Sequence, residues 1–432
     1  MMRTGEAKRN DANAPSRNIR KDYPFEFTGE TGEYFRIWIV NILLTIVTLG
    51  IYSAWAKVRN HRYFYGNTVL DGSAFEYTAD PIKILRGRII AVAVLIAYQS
   101  AGLVSTSASI IAFALLMVIM PAMIVLALRF RMRYTSWRNI PFSFIPNFKM
   151  AYLLFGLPML LGLAMIATTV SFESDMMDMG FDPDTGAYEQ SLQSNNEPSD
   201  EGTEDTDTST ESDEENQGMT PEQAAALEEM GMQFLWVFGG LMLLFWVFYP
   251  LWLRFYYKFV ADHTRYGRTQ LRFLATVAEF YSIYVIAALL LVAAIAVLAL
   301  LIGAFNTLGI GDENLAGMTG GVIGVLAFLL VQSYIQTQRA NIVYSNIELE
   351  DIGFRSELKV STMAWLYISN TVAIIVSLGL MIPWAKIRVA RYRASTMTLY
   401  ANNFDEFQAR AAAEVDAEGA EISDFMDFDL GL

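Results

Sequence analysis

The chain has 432 residues, of which 54% are hydrophobic and only 18% are charged. Soluble domains carry about 25% charged residues, so this composition excludes an ordinary soluble enzyme. The absence of cysteine excludes a disulfide-stabilised secreted domain, and a net charge of −14 gives no indication of a basic face for nucleic acid.

In chain order, a basic stretch at residues 1–24 comes first, and we expect it to be a disordered tail. Eight apolar segments follow, and one bilayer crossing takes roughly 20 such residues. The segments lie at about 37–54, 89–106, 109–128, 151–170, 233–253, 280–304, 319–337 and 366–383. The second to the seventh predict six spans. The expected fold is therefore all-α, a polytopic helical membrane protein with up to eight transmembrane helices.

The basic residues predict the orientation of these spans, because cytoplasmic connections of membrane proteins are enriched in Lys and Arg. Four connections carry six, five, five and three basic residues, at 56–88, 129–150, 254–279 and 338–365. The connections 171–232 and 305–318 carry none. We therefore expect the basic connections and both termini to lie in the cytoplasm.

Residues 171–230 contain 19 acidic residues and no basic one, which predicts an acidic, disordered, extracytoplasmic loop. This loop separates a first membrane region, 25–170, from a second, 231–403. Residues 404–432 form an acidic C-terminal tail in which acidic and hydrophobic residues alternate. We expect a solvated tail, and folding onto a partner, with which the alternation is compatible, is the alternative.

The first and last apolar segments belong to an internal repeat. Residues 39–75 and 368–404 align without a gap at an offset of 329 residues and share 14 identities in 37 positions. Such similarity predicts two copies of one structural unit. The connections after the third, fifth and seventh segments echo this unit faintly, which either a degenerate repeat or ordinary interfacial snorkelling explains.

Each copy has the composition of a segment that dips into the bilayer and returns. An apolar helix carrying one amide is interrupted at Gly50 or Gly379, and Pro383 adds a stop in the second copy. Aromatic and basic side chains then follow as interfacial anchors. These anchors are Trp55, Lys57, Arg59, Arg62, Trp384, Lys386, Arg388 and Arg391. A tilted span with a glycine for close helix packing is the alternative.

Three runs of residues carry a resemblance to a known family. The runs Tyr34 to Trp38, Thr48 to Arg59 and Arg62 to Thr68 resemble the YjgN family of bacterial inner-membrane proteins. The similarity is most specific over residues 25–90 and 354–404. It implies a multi-pass protein of the bacterial inner membrane with an uncharacterised role, and it implies no catalytic residues.

The sequence shows no motif for catalysis or metal binding. Its two histidines, His61 and His263, lie in basic connections, and neither a glycine-rich phosphate loop nor a metalloprotease helix occurs. Asp182-Pro183-Asp184 resembles only the start of a calcium loop. We therefore expect no enzymatic activity, no metal site and no cofactor.

Two functions are compatible with the sequence. The first is passage of a small solute or ion along a path lined by Asn41, Asn370, Gln99 and Gln332, and the sequence slightly favours it. The second is a non-transporting membrane protein that binds lipid headgroups or a protein partner through its basic runs. Transport predicts that water reaches Asn41 and Asn370, whereas binding predicts that both amides are sealed. The lipid bilayer is the one partner indicated; the solute, any protein partner and the oligomeric state are not.

Overall fold

A computed structural model of the chain describes residues 20–178, 181–182, 187–188, 221–308, 313–402 and 404–419. Most of the predicted basic tail, most of the acidic loop and the final residues 420–432 lie outside these ranges. The described helices are α1 (Thr31–Val47), α2 (Ser53–Gly66), α3 (Pro81–Val104), α4 (Thr106–Arg133), α5 (Phe148–Asp178), α6 (Pro221–Asp262), α7 (Val277–Leu308), α8 (Glu313–Ser345), α9 (Val360–Val376), α10 (Ile382–Ser395) and α11 (Phe404–Gly419). The described strands are β1 (Lys21–Phe27), β2 (Thr68–Leu70), β3 (Ser73–Tyr77), β4 (Thr135–Trp137), β5 (Ile140–Phe144), β6 (Phe181–Asp182), β7 (Ala187–Tyr188), β8 (Thr264–Tyr266), β9 (Thr269–Gln270), β10 (Arg272–Phe273), β11 (Ile347–Leu349), β12 (Ile352–Ser356) and β13 (Met397–Ala401).

Six helices in the described part of the chain, α3 to α8, are long and apolar enough to cross a membrane. The candidate spans are Pro81–Val104, Ser107–Arg133, Phe148–Asp178, Ala225–Asp262, Val277–Ala304 and Thr319–Ser345. They coincide with the second to seventh apolar segments of the sequence. The six predicted membrane helices are therefore present, each somewhat longer than its apolar segment.

The expectation of an all-α fold is wrong, because the connections between the helices fold as strands. Eleven of the described strands form one antiparallel sheet in the order β10-β11-β12-β13-β1-β2-β3-β4-β5-β8-β9. The two end strands, β9 and β10, are separated in the chain by Leu271 alone. The sheet therefore closes through the chain itself, and we call it the ring.

Polar side chains mark the places where helices give way to strands. The Thr68 hydroxyl donates to the Phe64 carbonyl at 2.8 Å, which satisfies an otherwise unpaired group in the last turn of α2. The same bond to the carbonyl four residues earlier is made by Thr135, Thr264, Asn346 and Thr396. These short polar residues end the helices and direct the chain into the ring.

Tight turns within the ring follow the twist of its strands. Asp71 and Gly72 both have positive φ, at 47° and 71°, and so do Arg138 and Asn139, at 50° and 62°. Two successive residues with positive φ are characteristic of type I′ turns, which match the right-handed twist of β-hairpins. The β2–β3 and β4–β5 hairpins are fixed in register by these turns.

Side chains pointing into the ring form its hydrophobic core, and α11 packs against them. Phe404, Phe407 and Ala411 are buried in this core and occupy one face of α11 at three- and four-residue spacing. The Phe404 ring lies 4.7 Å from that of Tyr23 and 5.6 Å from that of Trp137, centroid to centroid. A solvated tail is therefore wrong for residues 404–411, because their apolar face covers the ring.

The N-terminal end of the ring also differs from expectation. β1 begins at Lys21, inside the range 1–24 that was expected to be a disordered tail. Lys21 to Pro24 pair with β13, and Phe25 to Phe27 pair with β2. Tyr23 and Phe25 point into the core while their neighbours are exposed, the period-2 alternation of a half-buried strand.

The sequence repeat is a structural repeat with the same offset of 329 residues. α9 and α10 have the bounds of α1 and α2 moved by that offset, and each pair of helices is joined by a break at Leu49-Gly50 or Leu378-Gly379. β1 precedes α1 and pairs with β2, which follows α2. β12 precedes α9 and pairs with β13, which follows α10. Each copy is therefore a helical hairpin whose two ends return to the same sheet.

The described chain divides into two compact units. One contains residues up to Tyr152 and from Pro250 onward, and it includes the ring and both helical hairpins. The other is Leu153–Tyr249, which holds the remaining parts of α5 and α6 and the short β6–β7 pair. Within it Phe172 packs on Phe234 with ring centroids 4.5 Å apart.

Candidate functional site

A cavity of about 770 Å³ lies beside the first helical hairpin. We call it the basic groove. Residues from α2, β3, α3, α4 and α6 line it. Its base rests on a small core in which Ala54 and Val58 of α2 pack with Tyr77, Ile84 and Phe130. This packing fixes α2 against the start of α3 and the end of α4.

Four basic side chains line the basic groove, and none of its described lining residues is acidic. Lys57 and His61 lie four residues apart on one face of α2. Arg88 comes from α3 and Arg131 from the last turn of α4. Arg88 also hydrogen-bonds to Ser53, and Arg131 hydrogen-bonds to Tyr65. Three elements thus bring positive charge to one place.

The basic side chains of the groove repel one another. Burial lowers the pKa of Lys57, and the nearby Arg88 and Arg131 guanidinium groups lower it further. Burial also lowers the pKa of His61, with added repulsion from Lys57 and Arg131. Like charges held together in partial desolvation favour the neutral form of each group. A bound anion would relieve this repulsion.

The remainder of the groove is apolar. Its walls are formed by side chains of α3 and α4, which run away from the ring and back toward it. These residues are Ile84, Ala91, Met120, Met123, Ile124 and Ala127. Met120 precedes Arg131 by eleven positions on α4, or about 16 Å along a helix rising 1.5 Å per residue. The groove therefore presents cations near the ring and an apolar surface further along membrane helices, which suits an anionic amphiphile.

The structure does not bring the four predicted path residues together. Asn41 and Asn370 are buried, with 4% and 5% of their surface exposed. Gln99 is exposed on α3 and Gln332 is half-buried on α8. None of the four lines a described cavity.

Both asparagines are occupied inside their own hairpins. The Asn41 amide donates to Asn60 Oδ1 at 3.3 Å, across from α1 to α2. Asn370 Oδ1 accepts from Arg388 at 3.3 Å, and Arg388 also donates to Ser369 at 2.6 Å. The two amides thus tie the arms of the hairpins together, and both are buried between those arms.

The predicted anchors have diverse surroundings. Lys57 lines the groove, while Arg62 donates to the carbonyls of Tyr77 and Ala79 at 3.2 and 3.3 Å. The second copy differs: Arg391 donates to the Gly29 carbonyl at 3.1 Å and so links the two copies. The remaining anchors lie as follows: Trp55 stacks on Tyr52, Arg59 is exposed, Trp384 lies under Arg388, and Lys386 lies over Tyr34.

The predicted helix breaks lie at the ends of the hairpins. Gly50 and Gly379 both have φ of +92°, which only glycine adopts without strain. The leucine before each, Leu49 or Leu378, is 94% or 95% exposed. Pro383 lies in the first turn of α10 and is fully buried. The hairpin ends are therefore apolar and project from the protein.

Sequence analysis did not group His61, Arg88 and Arg131 into one site. The only local signal was the spacing of Lys57, His61 and Tyr65, which places all three on one face of a helix. The arginines lie on two other helices, and no local pattern shows that those helices approach α2.

Comparisons with known proteins agree with the membrane architecture. The family model described as a bacterial protein of unknown function (DUF898) matches residues 22–425. The inner membrane protein YjgN of Salmonella typhimurium is 36% identical over 160 residues, which are 35% of this chain and 39% of that protein. The protein of the same name from Escherichia coli (strain K12) is 33% identical over 162 residues, 36% of this chain and 39% of that protein. The chain thus matches less than half the length of each relative, and no solved structure matches it.

Proposed function

The chain belongs to the DUF898 family of bacterial proteins of unknown function, and from that premise we propose that it is an inner-membrane protein that binds an anionic lipid headgroup in the basic groove. One observation carries the proposal: four basic side chains line the groove, and none of its described lining residues is acidic. The basic residues are Lys57, His61, Arg88 and Arg131. Phosphate is the anion that lipid headgroups supply at the surface of a bilayer. Basic pockets between membrane helices are suited to such headgroups.

The location in the membrane follows from helices, charge and relatives together. Six described helices are long enough to span, and the relatives are inner membrane proteins by name. The basic connections all belong to the ring, so the positive-inside rule places the ring in the cytoplasm. The acidic segment 171–230 then lies outside the cytoplasm.

The two helical hairpins are re-entrant in this arrangement. Both ends of each hairpin join the cytoplasmic ring, so neither crosses the bilayer. The apolar ends around Leu49 and Leu378 enter the membrane from the cytoplasmic side. Their exposed side chains then contact lipid instead of water.

Binding rather than transport is the role that the geometry favours. The candidate path residues Asn41 and Asn370 are sealed inside their hairpins, where Asn60 and Arg388 bind them. A water-filled route past these amides would have to separate the hairpin arms. The headgroup site needs no such rearrangement, because the groove is already open.

The test is the affinity of the purified full chain for phosphatidylglycerol and phosphatidylcholine in the same detergent. We expect phosphatidylglycerol to bind more tightly. One basic contact near a lipid surface contributes about 1 kcal/mol, so Arg88→Gln should weaken phosphatidylglycerol binding about fivefold. Lys57→Gln and Arg131→Gln should act in the same direction.

Arg86→Gln is the matched control. It removes the same charge from the same helix two residues away, but Arg86 does not line the groove. We expect its affinity to stay close to that of the wild type. Equal binding of the two lipids, or an equal loss in the Arg86 and Arg88 variants, would reject the headgroup site.

A further inference from the structure

The interior of the ring is not filled by its own side chains. A cavity of about 340 Å³ lies at its helix-facing mouth, where Phe27, Phe64 and Met397 form part of the lining. A second cavity of about 130 Å³ lies deeper, between residues such as Leu349, Leu399 and Phe407. Protein interiors are close-packed, and voids larger than a water molecule are few. Two such spaces in one small core leave room for an apolar ligand.

The lining of the deeper cavity suits hydrocarbon and not a polar ligand, while the mouth combines a mainly apolar lining with the Arg393 side chain. The deeper cavity is enclosed by aromatic and aliphatic side chains. Its two polar side-chain groups are already paired, since Trp137 Nε1 donates to the Ser73 carbonyl at 3.0 Å and the Tyr266 hydroxyl donates to the Trp137 carbonyl at 3.1 Å. A polar ligand entering this space would lose its hydration without replacement hydrogen bonds.

The cavities form a series with the basic groove. Tyr65 lines both the basic groove and the mouth of the ring. Phe25 and Phe75 line both the mouth and the deeper cavity, with their ring centroids 6.3 Å apart. Phe404 and Phe407 of α11 close the far end. The series thus runs from the cationic groove to an apolar space beside α11.

We propose that the ring is an acyl-chain site, and that it holds one hydrocarbon chain of the same anionic lipid whose headgroup binds in the basic groove. This inference rests on the proposed function. Entry past Tyr65 and displacement of the Phe25 and Phe75 side chains join the two cavities into one channel. The lipid is then held at both ends, by its phosphate and by one chain, instead of lying wholly along the membrane helices.

The position of the chain is tested with phosphatidylglycerol carrying a photoreactive diazirine at the end of one acyl chain. After illumination of the full chain, labelled peptides are identified by mass spectrometry. We expect competable labelling of ring peptides that contain Phe75, Met397 or Phe407. Labelling confined to α3, α4 or other membrane helices would overturn the acyl-chain site and leave the headgroup site standing.

The second test fills the mouth of the ring with a larger side chain. Ala390 lines the mouth of the ring and not the groove, so Ala390→Phe should lower the affinity for dipalmitoyl phosphatidylglycerol about tenfold. Binding of the short-chain dihexanoyl lipid should be unchanged, which also shows that the variant is folded. Ala93→Phe is the matched control, because Ala93 is exposed on α3 and lines neither space.

The outcomes separate the two proposals. If the Ala390 variant and the wild type bind the long-chain lipid equally, the ring does not hold an acyl chain. If neither chain length binds to the wild type, the headgroup site is wrong and the acyl-chain site falls with it.

Discussion

One face of α2 distinguishes the two copies of the repeat. In the first copy that face carries Lys57, His61 and Tyr65, which line the basic groove. At the offset of 329 residues the second copy has Ala390 and Ala394 in place of His61 and Tyr65. Both alanines line the mouth of the ring. The basic groove therefore belongs to the first copy, whereas the second copy has small residues that line the mouth of the ring.

His61 should make lipid binding depend on pH. Burial and the charges of Lys57 and Arg131 lower its pKa below the ordinary value of 6.5, whereas a bound headgroup supplies a negative charge that raises it. Binding then takes up a proton. Affinity should increase as the pH falls through the raised pKa of the complex and level off below the lowered pKa of the free protein.

The measurement is the affinity for phosphatidylglycerol from about pH 8 to pH 5, the range in which histidine titrates. We expect His61→Gln to flatten the profile. Lys57 faces the same space, and burial with the nearby Arg88 and Arg131 lowers its pKa too, so Lys57 contributes any slope that remains in the variant. Equal slopes for the variant and the wild type would remove His61 from the site.

At the scale of single elements, both helical hairpins are held at the reversal by the same kind of hydrogen bonds. Gly50 N–H donates to the Thr45 carbonyl at 2.7 Å, and Gly379 N–H donates to the Ile374 carbonyl at 2.8 Å. The Thr48 hydroxyl then accepts from the Tyr52 amide at 2.9 Å. These bonds close the first arm and begin the second within five residues, so the reversal is built into the backbone.

Re-entry is tested with single cysteines, since the chain has none of its own. Glu30→Cys lies before α1 and Glu76→Cys lies after α2. We expect a membrane-impermeant thiol reagent to label both from the cytoplasmic face only, because β1 and the β2–β3 hairpin are neighbours in the ring. A cysteine at 208 should be labelled from the opposite face.

The buried amides complete that experiment. Asn41→Cys and Asn370→Cys should resist the reagent from either face, because both sites are enclosed by the hairpin arms. Labelling of positions 30 and 76 from opposite faces would show that the first segment spans. Rapid labelling of positions 41 and 370 would return the transport hypothesis to consideration.

The same elements show what the sequence could and could not predict. The six membrane helices were predictable because hydrophobicity over about 20 residues is a local signal. The strands were missed because they are two to seven residues long and lie in connections considered only for their charge. Asp71-Gly72 is a hairpin signal in the sequence, and the alternation from Tyr23 to Phe27 is a strand signal. Both signals are local, so the sequence alone indicates these two pieces of the sheet.

The closure of the ring was not available from any local pattern. Lys21 pairs with Ala401, nearly the whole chain away, and Arg131 meets His61 only because α4 returns to the same sheet. Candidate residues could be assigned to an interface by type, as Lys57 was. Their grouping into one cationic site needed the non-local pairing of strands that places α2, α3 and α4 together.

At the scale of the whole molecule, closure of the ring requires both β1 and β13. β1 lies between β13 and β2, so the ring has a gap until the C-terminal strand is in place. Non-local pairings of this kind form late, because loop closure must precede the contacts that stabilise it. α11 follows β13 directly and covers the core that closure creates.

The two kinds of contact made by α11 should differ sharply in their contribution to stability. Phe407 is buried in the ring core, and its ring centroid lies 6.2 Å from that of Tyr266. Arg410 on the outer face pairs with Glu350 at 3.1 Å, but both side chains are about half exposed. Truncating a buried phenylalanine costs about 3 to 5 kcal/mol, whereas an exposed ion pair contributes about 0 to 1 kcal/mol.

We therefore expect Phe407→Ala to lower the thermal unfolding midpoint strongly and Arg410→Ala to change it little. The existing cavity beside Phe407 lets neighbouring side chains relax, so the loss should fall near the lower limit, about 3 kcal/mol. The measurement is unfolding of the full chain in detergent, followed by tryptophan fluorescence because Trp137 lies in the same core. Equal effects of the two substitutions would mean that α11 rests on the ring through its surface charges. A larger effect at Phe407 would show that burial of its apolar face holds α11 over the ring.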